Sequence, residues 1–144
     1  MGKETKKLKN FEVVHLVELL SDKNSILNYD DKDRKLPFNI LWSIDGNFSS
    51  LMSIYQRIQS AKQKIYDPYL NDDCAEVVDS GWKIKKEYLD EINSKLVELS
   101  NADNNVDIEM IPMHELEKYM FTGKELQSIR FMIKEGDDEC QTLE

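Results

Sequence analysis

The sequence is short of glycine, with five in 144 residues, none within ten positions of another. Phosphate-binding loops need clustered glycines, as in GxGxxG or GxxxxGK[ST], and the nucleophile turn of many hydrolases needs GxSxG. The chain contains none of these patterns. Its sequence therefore gives no support for a nucleotide-binding site or an α/β-hydrolase active site.

Cysteine and histidine are also scarce. The sequence contains two of each, Cys74, Cys140, His15 and His114. No CxxC or Cys–His spacing occurs, so we expect free thiols in a reducing compartment rather than disulfides or a zinc site. The acidic runs lack the glycine and final glutamate of a calcium loop. We therefore expect no metal, no cofactor and no enzymatic activity. An enzyme would need one of the histidines beside carboxylates in a deep polar pocket.

Long apolar runs are also missing, and no stretch reaches the 18 residues typical of a membrane span. No signal-type apolar run follows the first lysines, so we expect a cytoplasmic protein. The net charge is −9, which disfavours a broad nucleic-acid-binding surface. By length we expect one domain over 1–144, with flexible ends at 1–5 and 135–144.

A long heptad-like apolar stripe is the strongest positive feature. Its members step by alternating three and four residues. They are Leu41, Ile44, Phe48, Leu51, Tyr55, Ile58, Lys62, Ile65 and Tyr69. Such spacing predicts a helix over about 38–66, starting at Leu36-Pro37 and ending before Pro68. Gly46 costs roughly 1 kcal/mol inside a helix, so it indicates a kink or the close approach of another element.

A second stripe predicts another helix over 82–100, after an acidic connector at 67–81. Its members are Trp82, Lys85, Leu89, Ile92, Leu96 and Leu99. Each helix must bury its stripe, so a short connector favours an antiparallel pair. The alternation at 106–111 predicts a strand that pairs with 6–10. Residues 113–121 predict a short helix with Leu116 and Met120 inward, and a capping-box pattern at Thr122–Glu125 predicts the start of a last helix. The expected fold is mainly α with a minor β part: a long antiparallel helical hairpin with a small two-stranded sheet and short packing helices at its base.

The candidate interaction surface consists of the acidic connector and one tryptophan off the main stripe. Its residues are Asp67, Asp72, Asp73, Glu76, Asp79 and Trp42. The acidic residues fit either a solvated connector or a surface for a basic partner. Trp42, with Phe38, Phe48 and Tyr55, fits either a widened core face or an exposed interface patch.

Four local patterns together resemble a family of small uncharacterised phage and prophage proteins of low-GC Gram-positive bacteria. They are Lys7-Leu8-Lys9-Asn10 before a helix, Leu36-Pro37-Phe38 opening a long helix, the strand Val106-Asp107-Ile108, and the closing Phe131-Met132-Ile133 after Leu126. The resemblance covers most of 6–134 and implies phage or prophage origin and expression inside a bacterial host cell. It carries no functional residues with it.

Two functional hypotheses follow. The first is a non-enzymatic protein that binds a phage or host protein, such as an assembly accessory, or self-associates into a homo-oligomer through its long helical faces. The alternative is an acidic inhibitor that occupies the basic channel of a host defence protein that binds nucleic acid. Direct nucleic-acid or membrane binding is not expected in either case.

Overall fold

The computed structural model of the chain describes residues 2–30 and 34–135. Of these residues, 58% are helical and 20% lie in strands of small sheets. The prediction of a mainly α fold with a minor β part is confirmed. Cys140 and the expected flexible end, apart from Glu135, lie outside the described residues.

The described residues form four α-helices and six strands. The helices are α1 (Asn10–Ser21), α2 (Phe38–Tyr66), α3 (Lys86–Asn101) and α4 (Gly123–Ile129). The strands are β1 (Lys3–Lys9), β2 (Ala75–Val78), β3 (Gly81–Ile84), β4 (Asp103–Glu109), β5 (Ile111–Pro112) and β6 (Ile133–Lys134). None of the described helices is both long and apolar enough to cross a membrane.

The predicted bounds of α2 are confirmed at both ends. Ile44, Leu51 and Ile58, seven residues apart, are buried, because a seven-residue repeat returns to nearly the same side of an α-helix. α2 contacts α1, α3 and β4. It is therefore the central element on which the other parts of the fold pack.

The predicted pairing of the two ends of the fold is also present. β1 and β4 are antiparallel, with Lys6 opposite Val106. Val106 and Ile108 alternate inward to the core, as a half-buried strand requires. β1 begins at Lys3, so residues 3–5, which we expected in a flexible end, form strand pairs instead.

The β1–α1 junction is tied to the α3–β4 junction by Asn10. Its Nδ2 donates to the carbonyl oxygen of Leu99 at 2.7 Å, and its Oδ1 accepts from Nδ2 of Asn104 at 2.7 Å. Its backbone N–H donates to the carbonyl oxygen of Ala102 at 2.9 Å. These bonds fix two chain reversals that lie about ninety residues apart in sequence.

The predicted start of the second helix at residue 82 is wrong, because residues 81–84 form β3 and α3 begins at Lys86. β2 and β3 pair antiparallel with a two-residue turn between Val78 and Gly81. Gly81 has a φ of +126°, a conformation that favours glycine. The helical spacing of α3 extends by chance back to Trp82 in β3. Of the second stripe, Ile92 is buried, whereas Leu89 is exposed, so the stripe is not buried along its whole length.

The C-terminal segment is less helical than its apolar residues suggested. A 3₁₀ turn at Met113–Glu115 replaces the helix that we expected over 113–121. Met120, expected to point inward, is 84% exposed. The Thr122 capping box does open α4: the Thr122 hydroxyl accepts from the Glu125 N–H, and the Thr122 N–H donates to Oε1 of Glu125 at 2.8 Å.

Candidate interaction surfaces

The acidic connector is an ordered structure rather than a plain loop. It begins with a 3₁₀ turn at Asp67–Tyr69. The Tyr69 ring is buried and lies 5.9 Å from the Tyr88 ring, and Lys95 Nζ donates to its hydroxyl at 3.0 Å. This hydrogen bond raises the pKa of Lys95. Oδ1 of Asn71 accepts from two backbone N–H groups, those of residues 73 and 74. The connector is thereby fixed against α3.

The β2–β3 ribbon carries an apolar face that sequence reasoning missed. Val77 and Trp82 are directly opposite each other and therefore share a face. Val77 is 72% exposed and Trp82 is 42% exposed. Ala75, two residues before Val77 on the same face, is buried. The apolar face therefore runs from the protein body out to a solvent-exposed tip.

All five acidic candidates are exposed around this ribbon, but they are not alone. Asp72 and Asp73 lie in the preceding turn, Glu76 lies in β2, and Asp79 lies in the two-residue turn. Lys83 is opposite Glu76 in the strand register. Lys85 and Lys86 follow directly in the chain. Strand pairing thus places Lys83 beside Glu76, and the Lys85 N–H donates to the carbonyl oxygen of Cys74 at 2.9 Å. The surface is therefore less acidic than the sequence of residues 67–81 suggests.

Trp42 lies on a different surface from the acidic candidates. It precedes Asp67 by 25 residues, a separation of about 37 Å along the helix axis. Trp42 and Phe38 are 68% and 73% exposed, and their ring centroids lie 5.5 Å apart. The expectation that both rings belong to the core is wrong, whereas Phe48 and Tyr55 are partly buried. The six candidates therefore form two surfaces.

Cys74, His15 and His114 are the cysteine and histidine candidates that the structure describes. His15 and His114 are both exposed. Cys74 is a half-buried free thiol, and its contact with Tyr88 raises the pKa of the Tyr88 hydroxyl. Within residues 2–30 and 34–135, no three His, Cys, Asp or Glu side chains are close enough to hold a metal ion.

A buried ion pair joins the loop before α2 to α4. Glu125 is 3% exposed, and its Oε1 accepts from Nη1 of Arg34 at 3.0 Å, while Oε2 accepts from Nη2. The Arg34 guanidinium also lies 4.1 Å from the centroid of the Tyr29 ring. Burial alone would raise the pKa of Glu125, but Arg34 and Thr122 outweigh it and hold that pKa below its usual range. Glu125 is therefore a poor base in this environment.

Two grooves accompany these features, one apolar and one polar. The apolar groove has a volume of about 290 Å³ and is lined by α1, α2 and α3, with Phe11 half-exposed in its wall. The polar groove, of similar volume, lies beside Arg34 and Glu125. Neither histidine lines either groove. The arrangement that would indicate an enzyme, a histidine beside carboxylates in a deep cleft, is absent from these two cavities.

Comparison with known proteins adds no identification to this geometry. No protein-family model matches the chain. No curated protein and no solved structure matches it either. The resemblance to small phage proteins, which rests on four short sequence patterns, stays a prediction.

Proposed function

We propose that this chain is a non-enzymatic protein that acts by binding another protein through its β2–β3 ribbon. In this proposal α2 and α3 form an antiparallel helical hairpin that carries the ribbon at its connecting end. The phage or prophage setting, and a role as an assembly accessory with a phage or host partner, rest on the sequence resemblance. The binding role rests on the surface chemistry of the ribbon.

The exposed Val77–Trp82 pair carries the proposal. A tryptophan paired with a β-branched residue is costly to leave in water and is typical of the centre of an interface. The exposed Asp72, Asp73 and Asp79 flank the ribbon and supply the polar rim that interfaces usually have, whereas Glu76 lies on the opposite face of β2. The matching partner surface is an apolar pocket with basic residues at its edge.

The alternative is an acidic inhibitor of a nucleic-acid-binding defence protein. In that case the carboxylates would make the main contacts with the partner, and the apolar pair would make minor ones. A nucleic-acid mimic needs a surface of one sign, whereas Lys83 lies opposite Glu76, and Lys85 and Lys86 follow it directly in the chain. The dependence of binding on ionic strength distinguishes the two hypotheses. Binding through charge weakens steeply as ionic strength rises, and binding through the apolar pair persists.

The test is affinity purification of full-length protein from its bacterial host, followed by binding measurements with the purified partner. The key variant carries Val77→Ser and Trp82→Ser. Val97→Ser is the matched control, because Val97 is an exposed valine on α3, away from the ribbon. Circular dichroism checks that both variants are folded.

We expect the wild type and the Val97→Ser control to retain the same partner, with an affinity that survives salt. The ribbon variant should lose at least about tenfold in affinity, as for an interface hot spot. Unchanged binding by the folded ribbon variant would refute the role of the ribbon. Binding that disappears in salt and depends on the carboxylates would favour the inhibitor hypothesis.

A further inference from the structure

A second seven-residue pattern runs along the face of α2 that points away from the core. Its members step by four, three, four, three and four residues, and all of them are exposed. They are Trp42, Gly46, Ser49, Ser53, Gln56 and Ser60. This spacing is the one by which helices pack side by side. α2 therefore presents two stripes, one buried in this fold and one open.

The open stripe has large side chains at one end and a concave surface at the other. Phe38 and Trp42 stand one turn apart at the N-terminal end. Toward the C-terminal end lies a shallow depression of about 540 Å³. It is lined by Ser53, Gln56, Arg57, Ser60, Ala61 and Lys64. These six positions form two overlapping sets with spacing i, i+3, i+4 and i+7, which is the geometry of holes that accept knobs from a facing helix.

We propose that the open face of α2 binds a second copy of the chain, with the two α2 helices antiparallel about a two-fold axis between residues 49 and 50. That axis places Trp42 level with Arg57 of the second copy and Phe38 level with Ala61 of the second copy. Each aromatic side chain then enters one of the two holes. A two-fold axis repeats the same contacts in reverse, so both ends of the stripe are filled.

The chemistry of the facing positions suits this arrangement. A tryptophan ring attracts a guanidinium group through a cation–π interaction, and Arg57 lines the hole that would receive Trp42. Small residues occupy the middle, where Gly46 faces Ser53 of the second copy. A Cβ added to Gly46 meets nothing within 4 Å, so the packing of a single chain does not require glycine there. Close approach of a second helix does.

The length of the contact is sufficient for a specific pair. From Phe38 to Ala61 the two helices would overlap for about 36 Å at 1.5 Å per residue. The β2–β3 ribbon is not part of this face. Self-association and ribbon binding can therefore succeed or fail independently.

The first experiment measures the mass of the full-length protein by light scattering and sedimentation at about 1 to 100 μM, since dimer formation depends on concentration. We expect a species of twice the chain mass of 16.9 kDa. Gly46→Leu should raise the dissociation constant at least about tenfold, because its side chain blocks the close approach. Leucine favours helix more than glycine does, so this variant should fold at least as well as the wild type.

Phe38→Ser with Trp42→Ser should also give monomers, whereas Met120→Ser, at an equally exposed apolar residue, should not. A wild type that stays monomeric over this range overturns the proposal. A dimer that persists in the folded Gly46→Leu variant overturns it as well.

Cysteine cross-linking tests the orientation of the helices, in a background with Cys74→Ser and Cys140→Ser. Ser49→Cys lies beside the proposed axis, so its two copies are close enough to form a disulfide. The two copies of Ser60→Cys would be about 31 Å apart along the helices. We expect rapid cross-linking of the first variant alone. Cross-linking through Ser60→Cys indicates parallel helices and overturns the antiparallel arrangement.

Discussion

Asn47 of α2 makes both hydrogen bonds that a neighbouring strand would make to Glu109 of β4. Its Nδ2 donates to the carbonyl oxygen of Glu109 at 2.9 Å, and its Oδ1 accepts from the Glu109 N–H at 2.8 Å. Asn47 is almost fully buried. A side-chain amide can match a peptide group in this way because it carries the same donor and acceptor. The edge of β4 is thereby satisfied by a helix.

Replacing Asn47 with leucine keeps much of its volume but leaves both Glu109 backbone groups without these bonds. Buried polar groups that lose their partners cost about 1–3 kcal/mol each. We therefore expect the free energy of unfolding to fall by about 3 kcal/mol, measured by urea denaturation. Asn39→Leu is the control, because Asn39 is an exposed asparagine of the same helix. Equal effects of the two substitutions would contradict the role of the amide.

The Arg34–Glu125 pair predicts a defined pH dependence of stability. The pKa of Glu125 is lower in the folded chain, so the folded state favours the ionised carboxylate. This contribution is full above the pKa of Glu125 in the unfolded chain, and it is lost as pH falls through the lower folded-state pKa. Glu125→Gln should destabilise the protein by about 3 kcal/mol at pH 7, toward the low end for buried pairs because Arg34 is 29% exposed.

To check this prediction, the free energy of unfolding of the wild type and of Glu125→Gln is measured from pH 7 down to pH 3, and the difference between the two is followed. The difference should shrink as pH falls, since the wild type loses an ionised group that the variant lacks. A difference that stays constant over this range would show that Glu125 acts through shape or packing rather than through charge.

Two glycines should respond to alanine in opposite directions. Gly46 lies in a helix with open space around it, so Gly46→Ala should stabilise dilute protein by about 1 kcal/mol. Gly81 also has open space, but its φ of +126° strains any side-chain-bearing residue. Gly81→Ala should therefore destabilise by about 1–2 kcal/mol. Thermal denaturation of the two variants gives the comparison, and a shift of both in the same direction would contradict the reasoning.

Ile92 should be the main buried anchor of α3, although it lies outside the main hydrophobic core, against which Leu99 of the same helix packs. Ile92 is 1% exposed, whereas Val97 is 58% exposed on the same helix. Ile92→Ala should lower the free energy of unfolding by about 3 kcal/mol through lost packing and a cavity. Val97→Ala should change it by less than about 0.5 kcal/mol. Denaturant titration distinguishes this result from even packing along α3, for which the two effects would be similar.

The bounds of α2 followed from the sequence because its period extends over eight turns and Pro37 and Pro68 flank it. The start of α4 was predictable as well, because the two residues of its capping box, Thr122 and Glu125, are three positions apart in the sequence. The pairing of β1 with β4 was expected because the strand at 106–111 had one available partner. In each case the interacting residues were close in sequence, or only one pairing partner was available.

Other features depended on contacts between distant residues. The β2–β3 ribbon was missed because Trp82 and Lys85 fit the helical spacing of α3 by chance, although Trp82 lies in β3 and Lys85 precedes α3. The Arg34–Glu125 pair joins groups 91 positions apart, and no local pattern marks it.

The amino-acid sequence by itself determined where α2 lies and that it is amphipathic, because helix period is a local property. Only the tertiary structure decided that Phe38 and Trp42 stay exposed, since burial depends on which elements arrive from elsewhere in the chain. It also decided that Lys83 lies opposite the candidate Glu76. The electrostatic character of the ribbon surface depends on strand pairing as well as on the order of residues.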